Sequence, residues 1–184
     1  MKTRNSIKNM TLAAVCAALC VVLPIAFHSI PNAGNVFLPM HIPVLICGLI
    51  CGWPYGLLCG LMGPLLSSAI TGMPPIAYLP AMMVECGVYG LVSGLVLKYV
   101  HTKSTYVDLY IALVAAMLAG RVVSGIAKAL IFTPGLAMSA WITASFVTAL
   151  PGILIQLVFL PTVIFTLMKA RVIPQRYAKG ELTV

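Results

Sequence analysis

Arg121, Lys128 and Glu85 are charged side chains that lie deep within apolar sequence. A charge at that depth is costly in hydrocarbon, so such residues usually face a cavity or a partner and mark function. Arg121 and Lys128 are seven residues apart, about two helical turns, and therefore share one helix face. Counted inward from the neighbouring loops, Glu85 lies closer in depth to Lys128, which predicts a Glu85–Lys128 pair and leaves Arg121 unmatched.

Two interpretations of these three residues stay open. In the first, they form one stabilising cluster, or Lys128 extends outward to water. In the second, Arg121 binds the carboxylate of an anionic ligand, because a guanidinium holds a carboxylate through two hydrogen bonds. Arg121, Lys128 and Glu85 are therefore candidate substrate-binding residues.

A second set of polar residues lies near the loops on one side of the predicted bundle. A ligand pocket needs mostly apolar walls and a few convergent polar groups. Helix capping or turn hydrogen bonding accounts for single members of the set equally well. The set comprises Asn32, Asn35, His41, Ser67, Ser68, Thr71 and Tyr78. From it we take His41, Asn35, Ser67, Thr71 and Tyr78 as substrate-binding candidates, and His28 and Gln156 are weaker ones.

The sequence lacks the common signatures of catalysis. It has no Gly-x-Ser-x-Gly, no His-Glu-x-x-His, no paired carboxylates and no phosphate-binding glycine loop with a lysine. We predict that the chain is not an enzyme and binds no cofactor. Its six cysteines lie in apolar runs, which favours packing over a metal site. The one-turn spacing of Cys16/Cys20 and Cys47/Cys51 leaves a soft-metal site as the weaker alternative.

Composition places the chain in a membrane. Hydrophobic residues make up 61% of its 184 residues and charged residues only 8%, whereas soluble domains carry about 25% charged residues. At about 20 residues per crossing, the length predicts an all-α integral membrane protein with six transmembrane helices and a single domain, residues 1–184. The first apolar run is interpreted as a retained helix and not a cleaved signal.

Charge predicts the orientation of the bundle. The predicted apolar segments are 9–28, 41–51, 56–70, 77–100, 109–132 and 139–168. Eight of the eleven Lys and Arg residues fall outside them, and Lys98 lies at the end of segment 77–100. All nine are at positions that share one side of a six-helix model. Since positively charged short loops stay in the cytoplasm, both termini are predicted to be cytoplasmic. Segments 41–51 and 56–70 are shorter than a full crossing of about 17 residues.

Small residues at a spacing of four predict close helix packing. Gly48, Gly52, Gly56 and Gly60 form one such ladder, to which we assign a packing role. On the first segment, the interleaved pairs Ala13/Ala17 and Ala14/Ala18 form a second small-residue face. That face is suited to packing within the bundle or to another subunit.

Essentially the whole chain resembles the substrate-binding S component of energy-coupling factor (ECF) vitamin transporters, in their generic branch. Besides the alanine face and the glycine ladder, the resemblance rests on several short motifs. These are Leu38-Pro39-Met40-His41-Ile42-Pro43, Gly63-Pro64-Leu65-Leu66-Ser67-Ser68, Thr71-Gly72-Met73-Pro74-Pro75, Glu85 with Gly90 and Gly94, and Gly120-Arg121 with Gly125.

The resemblance implies an S-component-like bundle in a bacterial-type plasma membrane, working as the binding subunit of an ABC importer. A membrane coupling subunit and two cytoplasmic ATPases would be its partners and would use the ATP, with no nucleic acid involved. Ala13, Ala14, Ala17 and Ala18 would dock the coupling subunit, against which the S component topples to release its vitamin inward.

Arg121 favours a carboxylated vitamin or precursor. Pantothenate is the first choice, and folate, niacin and a flavin stay open. The few aromatics near the external face, Tyr78 and Trp141, argue against a large planar ring.

Two other functions remain as alternatives. A stand-alone secondary transporter of a small metabolite would use Glu85 as its proton-coupling group and would need no ATP. A membrane scaffold would bind no small ligand at all.

Overall fold

A computed structural model describes residues 2–27, 33–132, 138–171 and 173, and throughout these residues the regular structure is helical. Within these residues eight α-helices follow one another: α1 Lys2–Ala26, α2 Ala33–Phe37, α3 His41–Cys51, α4 Trp53–Thr71, α5 Leu79–Tyr99, α6 Thr105–Ala127, α7 Met138–Ile142 and α8 Leu150–Lys169. Two π-helical segments, Lys128–Phe132 and Thr143–Thr148, extend α6 and follow α7.

In the part of the chain that the structure describes, five helical stretches have the length and apolar composition to cross a membrane. They are Ile7–Ala26, Trp53–Thr71, Leu79–Tyr99, Thr105–Ile131 and Leu150–Lys169. The second predicted segment, now α3, has only 11 residues, fewer than the roughly 17 of a usual full crossing. The chain is therefore a multi-pass membrane protein in which α3 is a short helix packed between longer ones.

The prediction of a short third segment at 56–70 was wrong. The turn expected at 52–56 is reduced to Gly52, whose φ of 89° suits glycine. Pro54 lies in the first turn of α4, where its missing N–H costs nothing and its fixed φ favours the helix. Trp53-Pro54 thus starts a helix of 19 residues instead of interrupting one.

The last predicted segment, 139–168, is interrupted where it was expected to be continuous. After α7 and the segment Thr143–Thr148, the helix restarts at Leu150, with Pro151 in the first turn of α8. Proline has no N–H to donate to the carbonyl four residues earlier, and its ring clashes with that carbonyl. A helix therefore cannot run smoothly through Pro151, and a new one begins next to it. Pro161 lies inside α8 as expected.

The glycine ladder packs as predicted, although it spans two helices joined by Gly52. A Cβ at Gly48 or at Gly56 would collide with the backbone carbonyl of Gly90 on α5. Gly60 has the same relation to the backbone of Cys86, one turn earlier on α5. These contacts hold α3 and α4 against α5 at a separation that only glycine allows.

Replacing Gly90 with alanine is expected to destabilise the bundle, because the added methyl group would overlap the backbone of Gly56. Overpacking of this kind costs about 1–3 kcal/mol, measurable as a lower midpoint of thermal unfolding in detergent. Gly87→Ala on the same helix is the control, since the nearest atoms to its methyl group belong to flexible side chains, Leu61 at 3.2 Å and Leu57 at 3.5 Å. Equal midpoints for the two variants would contradict the packing argument.

Candidate functional site

Glu85 on α5 is the centre of a polar cluster inside the bundle. One carboxylate oxygen, Oε2, lies 3.8 Å from Lys128 Nζ and accepts a hydrogen bond of 3.2 Å from Ser124 Oγ. The other, Oε1, lies 3.6 Å from His41 Nε2 and accepts a long hydrogen bond of 3.5 Å from the Tyr89 hydroxyl. Residues from α3, α5 and the α6 region thus converge on one carboxylate.

Three packing features bring these side chains together. The contacts of Gly48 and Gly56 with Gly90 hold the short helix α3 beside α5, with His41 as the first residue of α3. On α6, Gly120 leaves the space that the Tyr89 ring occupies, since a Cβ there would overlap the ring. The Tyr89 ring also lies 5.0 Å from the His41 ring, centroid to centroid. The face of α6 that carries Arg121 and Ser124 is therefore pressed towards Glu85.

The Glu85–Lys128 pair predicted from depth along the helices is present. The Lys128 side chain is 29% exposed and that of Glu85 12%, so the pair lies at the margin of the buried region. Lys128 begins the first π-helical segment, and π-helical turns in an α-helix frequently occur at functional sites.

Arg121 is a buried cation that lies near Glu85 without forming an ion pair with its carboxylate. It is only 3% exposed, and it forms no salt bridge with any residue that the structure describes. Its guanidinium carbon lies 5.7 Å from the ring centroid of Phe146, and its Nε is buried without a hydrogen-bond partner. An aromatic ring that stacks on a guanidinium leaves the planar edge to grip a carboxylate. Arg121 is thus oriented by Phe146 while a donor on its edge stays unused.

Trp141 lies over the same face of α6. Its indole packs on Gly125, where an added Cβ would come within 2.6 Å of Nε1. The Nε1 atom is buried and has no hydrogen-bond partner, and the indole meets the Phe146 ring edge-on at 5.8 Å. Sequence reasoning named Trp141 only as a nearby aromatic and missed Phe146. The sequence offered no signal for Phe146, which the interruption of the last segment places beside Arg121.

Among the described residues, no hydrogen bond or ion pair joins Ser67, Thr71 or Tyr78 to this cluster. Ser67 is fully buried with an unpartnered hydroxyl, whereas Thr71 donates to the Ser67 carbonyl at 2.7 Å. Ser68 donates to the Pro74 carbonyl, which makes it a turn residue. Tyr78 is 67% exposed.

Gln156, a weaker candidate, is engaged outside this cluster. Gln156 is buried, and its amide donates to the Leu38 carbonyl at 3.4 Å. Asn35 lies on α2, but its side chain is outside the described part of the structure, as are His28 and Asn32. In the described residues, no group of three or more His, Cys, Asp or Glu side chains is arranged to hold a metal ion.

The alanine face of α1 divides into two parts. Ala13 and Ala17 pack against the hydrophobic core of the bundle. Ala14 and Ala18 are exposed on the outer side of α1. Only the second pair presents small residues to the surroundings.

The chain matches the family model described as "ECF transporter, substrate-specific component" over residues 8–168. It belongs to this family. Members of the ECF transporter family of substrate-specific (S) components are transporter subunits and not enzymes, and they work with a membrane T component and ATPases. A search of curated proteins and a search of solved structures found no match.

Proposed function

We propose that this S component captures a small carboxylated vitamin or vitamin precursor from outside the cell, with pantothenate the first choice. It would bind no cofactor itself. The substrate would be delivered inward as the S component reorients against the membrane T component, the coupling subunit, driven by two ATPases. In this arrangement the chain lies in a bacterial-type plasma membrane with six crossings, α3 forming the short one, and with both termini in the cytoplasm.

One observation carries the proposal. Arg121 is almost completely buried, its Nε has no partner, and the nearby carboxylate of Glu85 is already engaged by Lys128. An unsatisfied buried donor costs about 1–3 kcal/mol, and more when it is charged. A ligand carboxylate that accepts from the guanidinium edge would recover this free energy in the bound state.

Binding and transport separate the proposal from its alternatives. The purified chain should bind pantothenate in detergent without ATP, as measured by isothermal titration calorimetry. In proteoliposomes, uptake should require the coupling subunit, both ATPases and ATP. Uptake by the chain alone, driven by a proton gradient and lost in Glu85→Gln, would instead establish the secondary transporter. Failure to bind any small carboxylate would reject the proposed substrate class.

The exposed pair Ala14/Ala18 supports a docking role for the outer face of α1, because small residues let a partner helix approach closely. The double variant Ala14→Leu/Ala18→Leu is expected to reduce copurification of the coupling subunit and ATPases at least about tenfold, with ligand binding unchanged. Ala26→Leu, at an exposed position near the other end of α1, is the control. Full recovery of the complex by the double variant would exclude this face.

A further inference from the structure

We infer that the site takes a monoanionic carboxylate whose second polar group accepts a hydrogen bond from the Trp141 indole. The inference rests on the proposed function and narrows its substrate class. It adds Trp141 to the binding residues and reduces the range of ligands that the site can accept.

The charge of the site sets the charge of the ligand. Arg121 and Lys128 contribute two positive charges and Glu85 contributes one negative charge, so these three side chains together carry one net positive charge. A ligand with one carboxylate neutralises it. A neutral ligand leaves Arg121 uncompensated in an apolar interior, and a dianion brings a second charge for which the cluster around Glu85 offers no further Lys or Arg.

The position of Trp141 indicates the second contact. Gly125, on which the indole packs, lies four residues after Arg121 and three before Lys128, so all three positions are on neighbouring turns of one helix face. The rise of about 1.5 Å per residue places Gly125 about 6 Å along the helix axis from Arg121. The unpartnered Nε1 is therefore a donor within reach of a small ligand held by the guanidinium.

The burial of these donors also predicts that binding moves the aromatic side chains. Arg121 Nε and Trp141 Nε1 are both closed off from solvent, and Phe146 covers the guanidinium face. A ligand reaches either donor only if the indole or its neighbours shift. Indole fluorescence responds to such a change, and Trp53, the other tryptophan, lies at the start of α4 against Gly94.

Matched ligand pairs test the inference. In a Trp53→Phe background, where Trp141 is the remaining tryptophan, pantothenate and nicotinate are titrated beside their neutral counterparts, pantothenol and nicotinamide, and beside the dianion folate. At least one of the two monoanions should give a saturable change in Trp141 fluorescence. Its neutral counterpart and folate should bind at least about 30-fold more weakly, as expected when a buried charge is left unpaired. Trp141→Phe should lower the affinity for that monoanion about 3- to 10-fold, which is the effect of losing one neutral hydrogen bond.

The outcomes distinguish this inference from the proposed function. Saturable binding with unchanged Trp141 fluorescence and full affinity in Trp141→Phe would overturn the role of Trp141 and leave the S-component function standing. If folate or a neutral counterpart bound as tightly as the monoanion, the inference that the ligand carries a single negative charge would be wrong. If neither pantothenate nor nicotinate bound, the inferred class of ligand, a monoanionic carboxylate, would be wrong. ATP-dependent uptake by the assembled complex would then have to be tested with another class of substrate.

Discussion

Replacing Arg121 with alanine is expected to abolish measurable binding of a carboxylated ligand while the protein still folds. Truncating one partner of a buried, hydrogen-bonded charge pair costs about 2–5 kcal/mol, which corresponds to a loss of about 30-fold to several thousand-fold in affinity. Stability should change little, since the variant also removes a buried cation with an unsatisfied Nε. Calorimetry with pantothenate and nicotinate measures the affinity, and thermal unfolding in detergent measures the stability.

Two further substitutions separate charge from shape at this position. Arg121→Met keeps an apolar stem against Phe146 and should match the alanine variant in binding. Arg121→Lys keeps the charge but loses the planar fork, so its affinity should fall between those of the wild type and Arg121→Ala. Lys98→Met, which removes an exposed cation near the end of α5, is the control for net charge. If Arg121→Met bound the carboxylated ligand as tightly as the wild type, Arg121 would not be a binding residue.

The residue pairing at the site could be predicted because helical depth is readable from sequence. Glu85 and Lys128 lie at similar distances from their neighbouring loops, and in the structure their charged atoms meet at 3.8 Å. Arg121, one turn or more deeper than Lys128, was expected to be unmatched and has no ion pair among the described residues. A charge in hydrocarbon is so costly that the few charged residues within apolar helices must lie close to a partner or a cavity, which limits how they can be arranged.

The aromatic part of the site could not be predicted in this way. Phe146 and Trp141 reach Arg121 and Gly125 through a short helix, a π-helical segment and a helix restart at Leu150. Periodicity in an apolar segment does not reveal where a helix changes its hydrogen-bond register. The same limit explains the error at Trp53-Pro54, where residues that usually break helices begin α4.

Glu85→Gln is expected to destabilise the bundle and to be rescued in part by Lys128→Met. The single change leaves Lys128 and Arg121 without their nearby carboxylate and weakens the contacts with His41 and Ser124. Breaking a fully buried pair costs about 3–5 kcal/mol. Because Lys128 is partly exposed, its ammonium group can extend to water. The expected loss of folding stability is therefore smaller here, about 1–3 kcal/mol.

The double-mutant cycle decides whether the two charges act as a pair. Glu85→Gln/Lys128→Met removes both charges together, so the double variant should be more stable than the sum of the two single effects predicts, by about 1 kcal/mol or more. Thermal unfolding of all four proteins in the same detergent measures this coupling. Strictly additive effects would mean that Lys128 is held by water or lipid and not by Glu85. Glu85 would then be free to compensate Arg121, and the argument that Arg121 requires an external carboxylate would fail with it.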